Sequence, residues 1–467
     1  MAKEKGKSAG QKLAEELLGK QQHTADFAPE SVEEARAFCE GYKTFLDAGK
    51  TEREAAVYAV QMLEKAGYVP YVAGKNYAAG SKVYLLNRGK AVIAATIGKE
   101  PVDKGVRLAI AHIDSPRLDL KPNPLYEADE LAYFKTHYYG GIRKYQWVTI
   151  PLSMHGVVVT ADGKTVQVCI GEEPGDPVFT ITDLLPHLAA EQNKRTLAEG
   201  INGEELNILL GSLPYEDEEV KDRVKLEVMR LLHQKYGFTE RDFTRAEVEF
   251  VPAFRAADVG FDGSMVGAYG QDDRVCAYTA LTAEIEVKKP RRTTICVLAD
   301  KEETGSDGNT GLASAYLFHF LESLAAMQGV SYHAMLAASL CLSADVNAAY
   351  DPSFPGPFEK RNSSLLNHGI VITKYTGARG KAGTSDASAE TMGEVTSLLE
   401  KAGVAWQIGE LGKVDAGGGG TIAKFVANHN IDVVDVGVAV LSMHAPFEVT
   451  SKLDVYHAYL AFAAFAK

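Results

Sequence analysis

The chain has 467 residues, 46% of them hydrophobic and 24% charged, and a formal net charge of -13 at pH 7. That length exceeds what one hydrophobic core usually serves, so a large domain with an insertion or a second domain is expected, of ordinary globular composition rather than disordered or fibrous. The acidic balance, with no Lys/Arg-rich face and no basic run interleaved with aromatics, argues against nucleic acid as a partner.

The opening stretch, MAKEKGKSAGQKLAEELLGKQQ, is charged throughout and has neither the apolar segment nor the small-residue cleavage site of a secretion signal, so export is not expected. From Ser31 to Gly67 the spacing of apolar residues predicts two amphipathic helices. The first opens with Ser31 and a Glu three residues on, a capping-box pattern, and Gly67 stops the second. Short β-type runs follow: KVYLLN, AVIAATIG and VRLAIAHI. The last is nearly all apolar, as a strand buried on both faces must be, and marks the start of a central sheet.

Between Arg117 and Ala257 the texture changes to prolines, aromatics and alternating segments such as GVVVTADGKTVQVCIG, with a turn at Asp162-Gly163. This segment, 117–257, is read as an inserted, β-rich domain. Residues 1–116 and 258–467 would then form one discontinuous domain. In its second half RRTTICVLADKEETGS, AMLAASLCLSADV and DVVDVGVAVLSMHAP each carry an apolar run that ends in acidic or His residues, with helical segments such as ASAYLFHFLESLAAM between them. The expected core is α/β. No internal repeat, low-complexity linker or heptad pattern interrupts it.

No apolar run reaches membrane-spanning length: VVDVGVAVLSM and YLAFAAFA are short, and Asp435 interrupts the first. Cys39, Cys169, Cys276, Cys296 and Cys341 lie far apart with no CxxC pair, which argues against a disulfide framework and a thiolate zinc site. A reducing cytoplasm fits, and any metal must be held by His and carboxylates.

Potential ligands of that kind recur at the ends of the apolar runs: His112 and Asp114, Glu302 and Glu303, Asp345, and His444. In an open α/β sheet, ligands bind beyond the carboxyl ends of the strands, so these tips are expected to converge. Taken singly, each has a plainer reading. A lone His is more often a satisfied interior or surface residue, and Glu302-Glu303 alone reads as a solvated loop pair. Several carboxylates buried together without a cation, however, would incur a large desolvation and repulsion cost. Asp272, at the start of the helical segment DRVCAYTALTAEI, reads from spacing alone as an N-cap, although a carboxylate there can also bridge two metal ions. Gly417 to Gly420 precede TIAKFVANH but lack the Lys-Ser/Thr of a phosphate-binding loop, so a close-packed loop beside the site is the better reading.

The segments AHIDSPRLDLKP, GQDDRVCAYTAL, DKEETGS, SADVNAAYDP, GGGGTIA and SMHAPFEVTSKLDVYHAY, spread over nearly the whole chain, resemble the M18 aminopeptidases within the clan of dizinc exopeptidases. The resemblance implies a mixed-sheet α/β core with helices on both faces and an inserted dimerisation domain. It also implies two zinc ions per subunit, though manganese or cobalt could be accommodated. By motif, His112 and Asp345 would ligate one zinc, Glu303 and His444 the other, and Asp272 would bridge both. Glu302 would be the catalytic base, and Asp114 would orient the His112 imidazole through its other nitrogen. A cis peptide between Asp272 and Asp273 is implied as well, as are peptide substrates and assembly into a tetrahedral dodecamer.

One segment departs from the family. Aspartyl-specific members carry a His and an Asp-Arg-Asp cluster after a YGGG motif, in a loop that reaches a neighbouring subunit. Here YYGGIRKYQWVTIPL places Tyr145 where the His would be and Thr149-Ile150-Pro151 in place of the cluster. Acidic specificity then depends on Lys374, Arg379 and Lys381, which lie close to where the family places its specificity loop. They either pair with an acidic substrate side chain or are solvated loop charges. The rival readings are a related dizinc carboxypeptidase or deacylase and, from a different class, a catalytically silent shell or binding protein.

Overall fold

The computed structural model describes residues 7–19, 21 and 23–467; the first six residues of the charged N-terminal stretch, and two further along it, lie outside the described residues. A nine-stranded mixed sheet forms the frame of the molecule. Its centre is four parallel strands side by side: Thr294–Ala299, Arg107–His112, Leu340–Ala344 and Asp432–Gly437. Ala91–Thr96 and Lys82–Asn87 extend one side antiparallel, and Ile370–Thr373 runs antiparallel to Asp432–Gly437 on the other.

The central strands are apolar on both faces because both faces are covered. Cys296 and Leu298 join a core with the helices Ser31–Ala48, Glu52–Lys65, Gln271–Glu286 and Lys452–Phe465. The alternate residues Ile295, Val297 and Ala299 join another core with Tyr316–Gln328 and Tyr332–Ala337. The α/β core with helices on both faces is therefore present, as the apolar runs lead one to expect.

The first helix begins differently from its sequence pattern. Glu30 occupies the N-cap position with helical backbone angles, and no side chain caps the helix. The Ser31 amide is instead taken by the Ala28 carbonyl at 3.0 Å, so the turn before the helix supplies the acceptor that the Glu34 side chain was expected to supply. A capping box does open the next helix, at Thr51 and Glu54.

A second, six-stranded antiparallel sheet is built wholly from residues between Arg117 and Pro252. It has its own apolar core around Phe134, Trp147 and Phe250, and the helix Arg223–Tyr236 packs against it. The hairpin Leu152–Val159 with Thr165–Ile170 turns at Gly163, whose φ of 84° is a left-handed geometry that glycine adopts without a steric cost. A small third sheet joins Met265–Ala268, Glu448–Ser451 and Ala439–Leu441, among others, beside the ends of the central strands. No helix among the described residues is long and apolar enough to cross a membrane.

Candidate metal centre

Asp272, Glu302, Glu303, Asp345 and His444 line one cleft of about 480 Å³, and His112, fully buried, lies against their side chains. His112 is the last residue of its strand, Asp345 follows Leu340–Ala344 directly, and Glu302 and Glu303 form a single turn three residues beyond Ala299. His444 arrives on the loop after Ala439–Leu441, and Asp272 stands in the first turn of Gln271–Glu286. The peptide between Asp272 and Asp273 is cis, and both residues have non-helical angles, at a kink in the first turn of the helix.

Asp272 lies at the centre of the group. Its Oδ1 is 3.2 Å from His112 Nε2, and its Oδ2 is 3.1 Å from His444 Nε2. Asp345 Oδ1 is 3.8 Å from His112 Nε2, Glu303 Oε1 is 3.6 Å from His444 Nε2, and Glu302 Oε2 is 3.9 Å from His112 Nε2. All of the side chains singled out from the strand ends, and Asp272 with them, thus meet in space.

Both imidazoles are oriented by their other nitrogen. His112 Nδ1 donates to the Asp114 carbonyl at 3.0 Å and lies 3.3 Å from its carboxylate, while His444 Nδ1 donates to the Gly141 carbonyl at 2.8 Å. Each Nε2 is left facing the cleft. Asp114, fully buried, also accepts the backbone N–H groups of Glu302 at 3.1 Å and Glu303 at 3.2 Å, so one carboxylate organises both the histidine and the acidic turn.

Two participants lie in the motif segments named above but have no role assigned there. Glu448, 1% exposed, accepts the Asp272 amide at 3.0 Å and the His444 amide at 2.7 Å, which ties the two together. It lies four residues after His444, within the segment SMHAPFEVTSKLDVYHAY. Asp273, fully buried, accepts the His112 amide at 3.3 Å and also lies within metal-binding reach of His112 and Asp345.

The electrostatics call for a cation. Burial, and then the charge of Asp345, push the Glu302 carboxyl up to about 8, and burial with Asp272 raises Glu303 well above its ordinary range. Burial also raises Asp272, but the His112 and His444 imidazoles lying against its two oxygens outweigh it and hold that carboxyl low. Burial disfavours a charged His444, yet Asp272 overrides it and pushes the imidazole up to about 11. A metal ion in the same place would take over the role of those protons and release them.

The residues also fit a metal on geometric grounds. His112 Nε2, Asp272 Oδ1 and Glu303 Oε1 are buried polar atoms with no hydrogen-bond partner, an arrangement folded proteins avoid unless something else satisfies them. Two groups drawn from this cleft, Asp272 with Glu303 and His444, and His112 with Glu302 and Glu303, hold their ligand atoms within 4.8 Å of one another. Ligands about 2.0–2.1 Å from a tetrahedral ion stand roughly 3.3 Å apart, close to the spacings around Asp272. An all-nitrogen-and-oxygen donor set with room for water suits a catalytic rather than a structural ion.

The three loop cations are not brought into this cleft. Lys374 and Lys381 both pair with Asp386, Lys381 at 2.7 Å, and Lys381 lies 3.7 Å over the Tyr375 ring. Arg379 and Lys381 line an adjacent cleft of about 250 Å³ that shares Thr376, Leu411 and Gly418 with the central one. Tyr145 is 38% exposed, with the Arg143 guanidinium 5.0 Å from its ring.

A family model described as "Aminopeptidase I zinc metalloprotease (M18)" matches residues 45–466. The chain is 49% identical over 442 residues to "Probable M18 family aminopeptidase 1" of Clostridium acetobutylicum, an alignment covering 93% of this chain and 95% of that protein. A crystal structure of an M18 aminopeptidase from Thermotoga maritima superimposes with a TM-score of 0.92 at 43% identity, over 96% of this chain and 99% of that one. Aminopeptidase I from Clostridium acetobutylicum gives 0.92 at 45% identity, over 97% and 100%. Fold, cleft and likeness together define a zinc metalloprotease. The chain belongs to the M18 family, and is a zinc metalloaminopeptidase.

Proposed function

We propose that the chain removes single residues from the N-termini of peptides by hydrolysis at a two-zinc centre, with His112 and Asp345 holding one ion, Glu303 and His444 the other, and Asp272 shared between them. The observation that carries this reading is the Asp272 carboxylate with one histidine Nε2 against each of its oxygens, at 3.2 and 3.1 Å. Bound there, two zinc ions supply Lewis acidity toward the peptide carbonyl and lower the pKa of a water toward neutrality.

Glu302 is the residue of the acidic turn left for proton transfer. It takes the proton of the attacking water and returns it to the leaving amine. Asp114 holds the Glu302 amide and the His112 ring, which keeps base and ligand in fixed relation. The negative charge of the cleft favours a protonated α-amine, which accounts for action at free N-termini. Manganese or cobalt would be accepted by the same nitrogen and oxygen donors.

Glu302→Gln tests the assignment, because it removes the base while leaving the proposed ligands in place. The expected result is a loss of turnover of about 100- to 10,000-fold, with zinc content unchanged. Near-normal turnover would rule Glu302 out as the base.

The proposal extends to organisation. Residues 117–257 are read as an inserted dimerisation domain within a catalytic domain made of 1–116 and 258–467, and the chain as a homo-oligomer, a tetrahedral dodecamer by family resemblance. Exposed Leu184, Leu185, Leu188, Leu197 and Leu213 on this segment support a covered surface there. All five cysteines are unpaired, which supports a reducing cytoplasm as the location.

A further inference from the structure

The strand Leu131–Tyr139 belongs to the six-stranded sheet, yet its last residue and the two glycines after it reach the metal centre. Tyr139 donates its hydroxyl to Asp114 Oδ2 at 2.7 Å. Gly140, at a φ of 73°, lies so close to Glu303 that a Cβ added there would stand 3.1 Å from Glu303 Oε2 and 3.3 Å from its Cβ. The Gly141 carbonyl accepts a hydrogen bond from His444 Nδ1. Three successive residues at the end of this strand thus touch Asp114 and Glu303, which follow strands of the nine-stranded sheet, and His444, which follows a strand of the small third sheet.

The Asp114 carboxylate has four neighbours to satisfy. Its Oδ1 faces the His112 ring and the Glu302 amide, while Oδ2 faces the Glu303 amide and the Tyr139 hydroxyl. The hydroxyl contact is the shortest of the four, and it is the only one that comes from the six-stranded sheet. The Tyr139 ring is held independently of that hydroxyl. It lies 3.9 Å beneath the Arg117 guanidinium, which is itself paired with Asp119 at 2.8 Å and with Glu52 and Glu249 at 3.3 Å. Removing only the oxygen would therefore leave the ring in place and free the carboxylate to rotate.

We propose that Tyr139 is a positioning residue of the reaction, whose hydroxyl fixes Asp114 and through it the His112 imidazole and the Glu302–Glu303 turn. The six-stranded sheet thereby sets the geometry of a metal centre whose side chains come from segments that follow strands of the other two sheets, and Gly140 and Gly141 extend the same strut to Glu303 and His444. This inference rests on the two-zinc reading above.

The test is Tyr139→Phe in the full chain, read by zinc competition against a chromophoric chelator and by separate kcat and KM values for a peptide with a free N-terminus. The expected result is zinc binding weakened by roughly tenfold or more, the range seen when a partner of a metal-ligating histidine is removed. A lower kcat with KM little changed, and an unfolding temperature close to that of the unsubstituted protein, should accompany it. Gly140→Ala, which crowds Glu303 directly, should move zinc affinity in the same direction. If the unsubstituted protein binds two zinc ions and Tyr139→Phe gives the same competition curve and the same kcat, the inference fails while the function stands. A variant that loses thermal stability but keeps full zinc affinity would show a packing role and equally overturn it. An unsubstituted protein that takes up no zinc would sink the two-zinc reading itself.

Discussion

Glu284 shows how differently two buried acids in this chain are managed. Where Glu302 stands in a cleft with room for cations, Glu284 is 4% exposed near the end of Gln271–Glu286, hydrogen-bonded by Tyr68 at 3.0 Å and Thr96 at 2.7 Å. Burial pushes its carboxyl from 4.5 up to about 7. Between those values the unfolded chain loses this proton while the folded chain keeps it, so stability falls as pH rises through the window and the loss is complete above the folded value. Glu284→Gln removes that dependence. Relative to the unsubstituted protein, the variant should gain stability progressively from about pH 4.5 to 7, by at most about 3 kcal/mol. Thermal unfolding of both proteins across that range checks it, and parallel profiles would contradict the assignment.

At the same scale, the sequence displays His112, Glu302, Glu303, Asp345 and His444 because each ends or follows an apolar run, and strand ends in an open sheet share one side. Asp272 was legible only through its motif, since its spacing is that of a helix cap. Tyr139 and Gly141 act through one hydrogen bond each, and Glu448 through two, and such contacts leave no periodic trace.

The central strands were readable as elements because burial on both faces makes their sequence continuous and apolar. Strands of two or three residues, such as Asn347–Ala348 and Ala439–Leu441, are too short to show alternation, so the small third sheet was not. Close approach between elements is likewise invisible in a sequence. A Cβ placed on Gly437, at the end of Asp432–Gly437, would stand only 1.6 Å from the Asp345 carbonyl. Gly437→Ala must therefore move the backbone that carries Asp345. A loss of about 1–3 kcal/mol in stability, together with lower zinc content, is expected. Chemical denaturation and metal analysis measure both, and unchanged values for the two would contradict the packing described.

For the molecule as a whole, segment 117–257 contributes Tyr139 and Gly141 to the metal centre and also carries the exposed leucines on the connections between its strands, so one segment faces the active site and the proposed subunit contacts. Leu188 and Leu213, at 68% and 76% exposure, are costly to leave in water. Mass measurement in solution should give a multiple of the 50.4 kDa subunit, about twelvefold if the family assembly holds. A monomer at micromolar concentration would contradict the oligomer. Subunit number leaves no mark that sequence patterning can read, because it depends on how exposed faces match, whereas the α/β frame follows from which runs are apolar.

Metal-stripped protein titrated with zinc, its turnover followed on a Leu-containing peptide with a free N-terminus and on the same peptide acetylated, tests the central claim most directly. Turnover of the free peptide should rise until two equivalents of zinc are bound, while the acetylated peptide stays uncleaved. Full activity without zinc, saturation at one equivalent, or equal cleavage of the acetylated peptide would contradict the account.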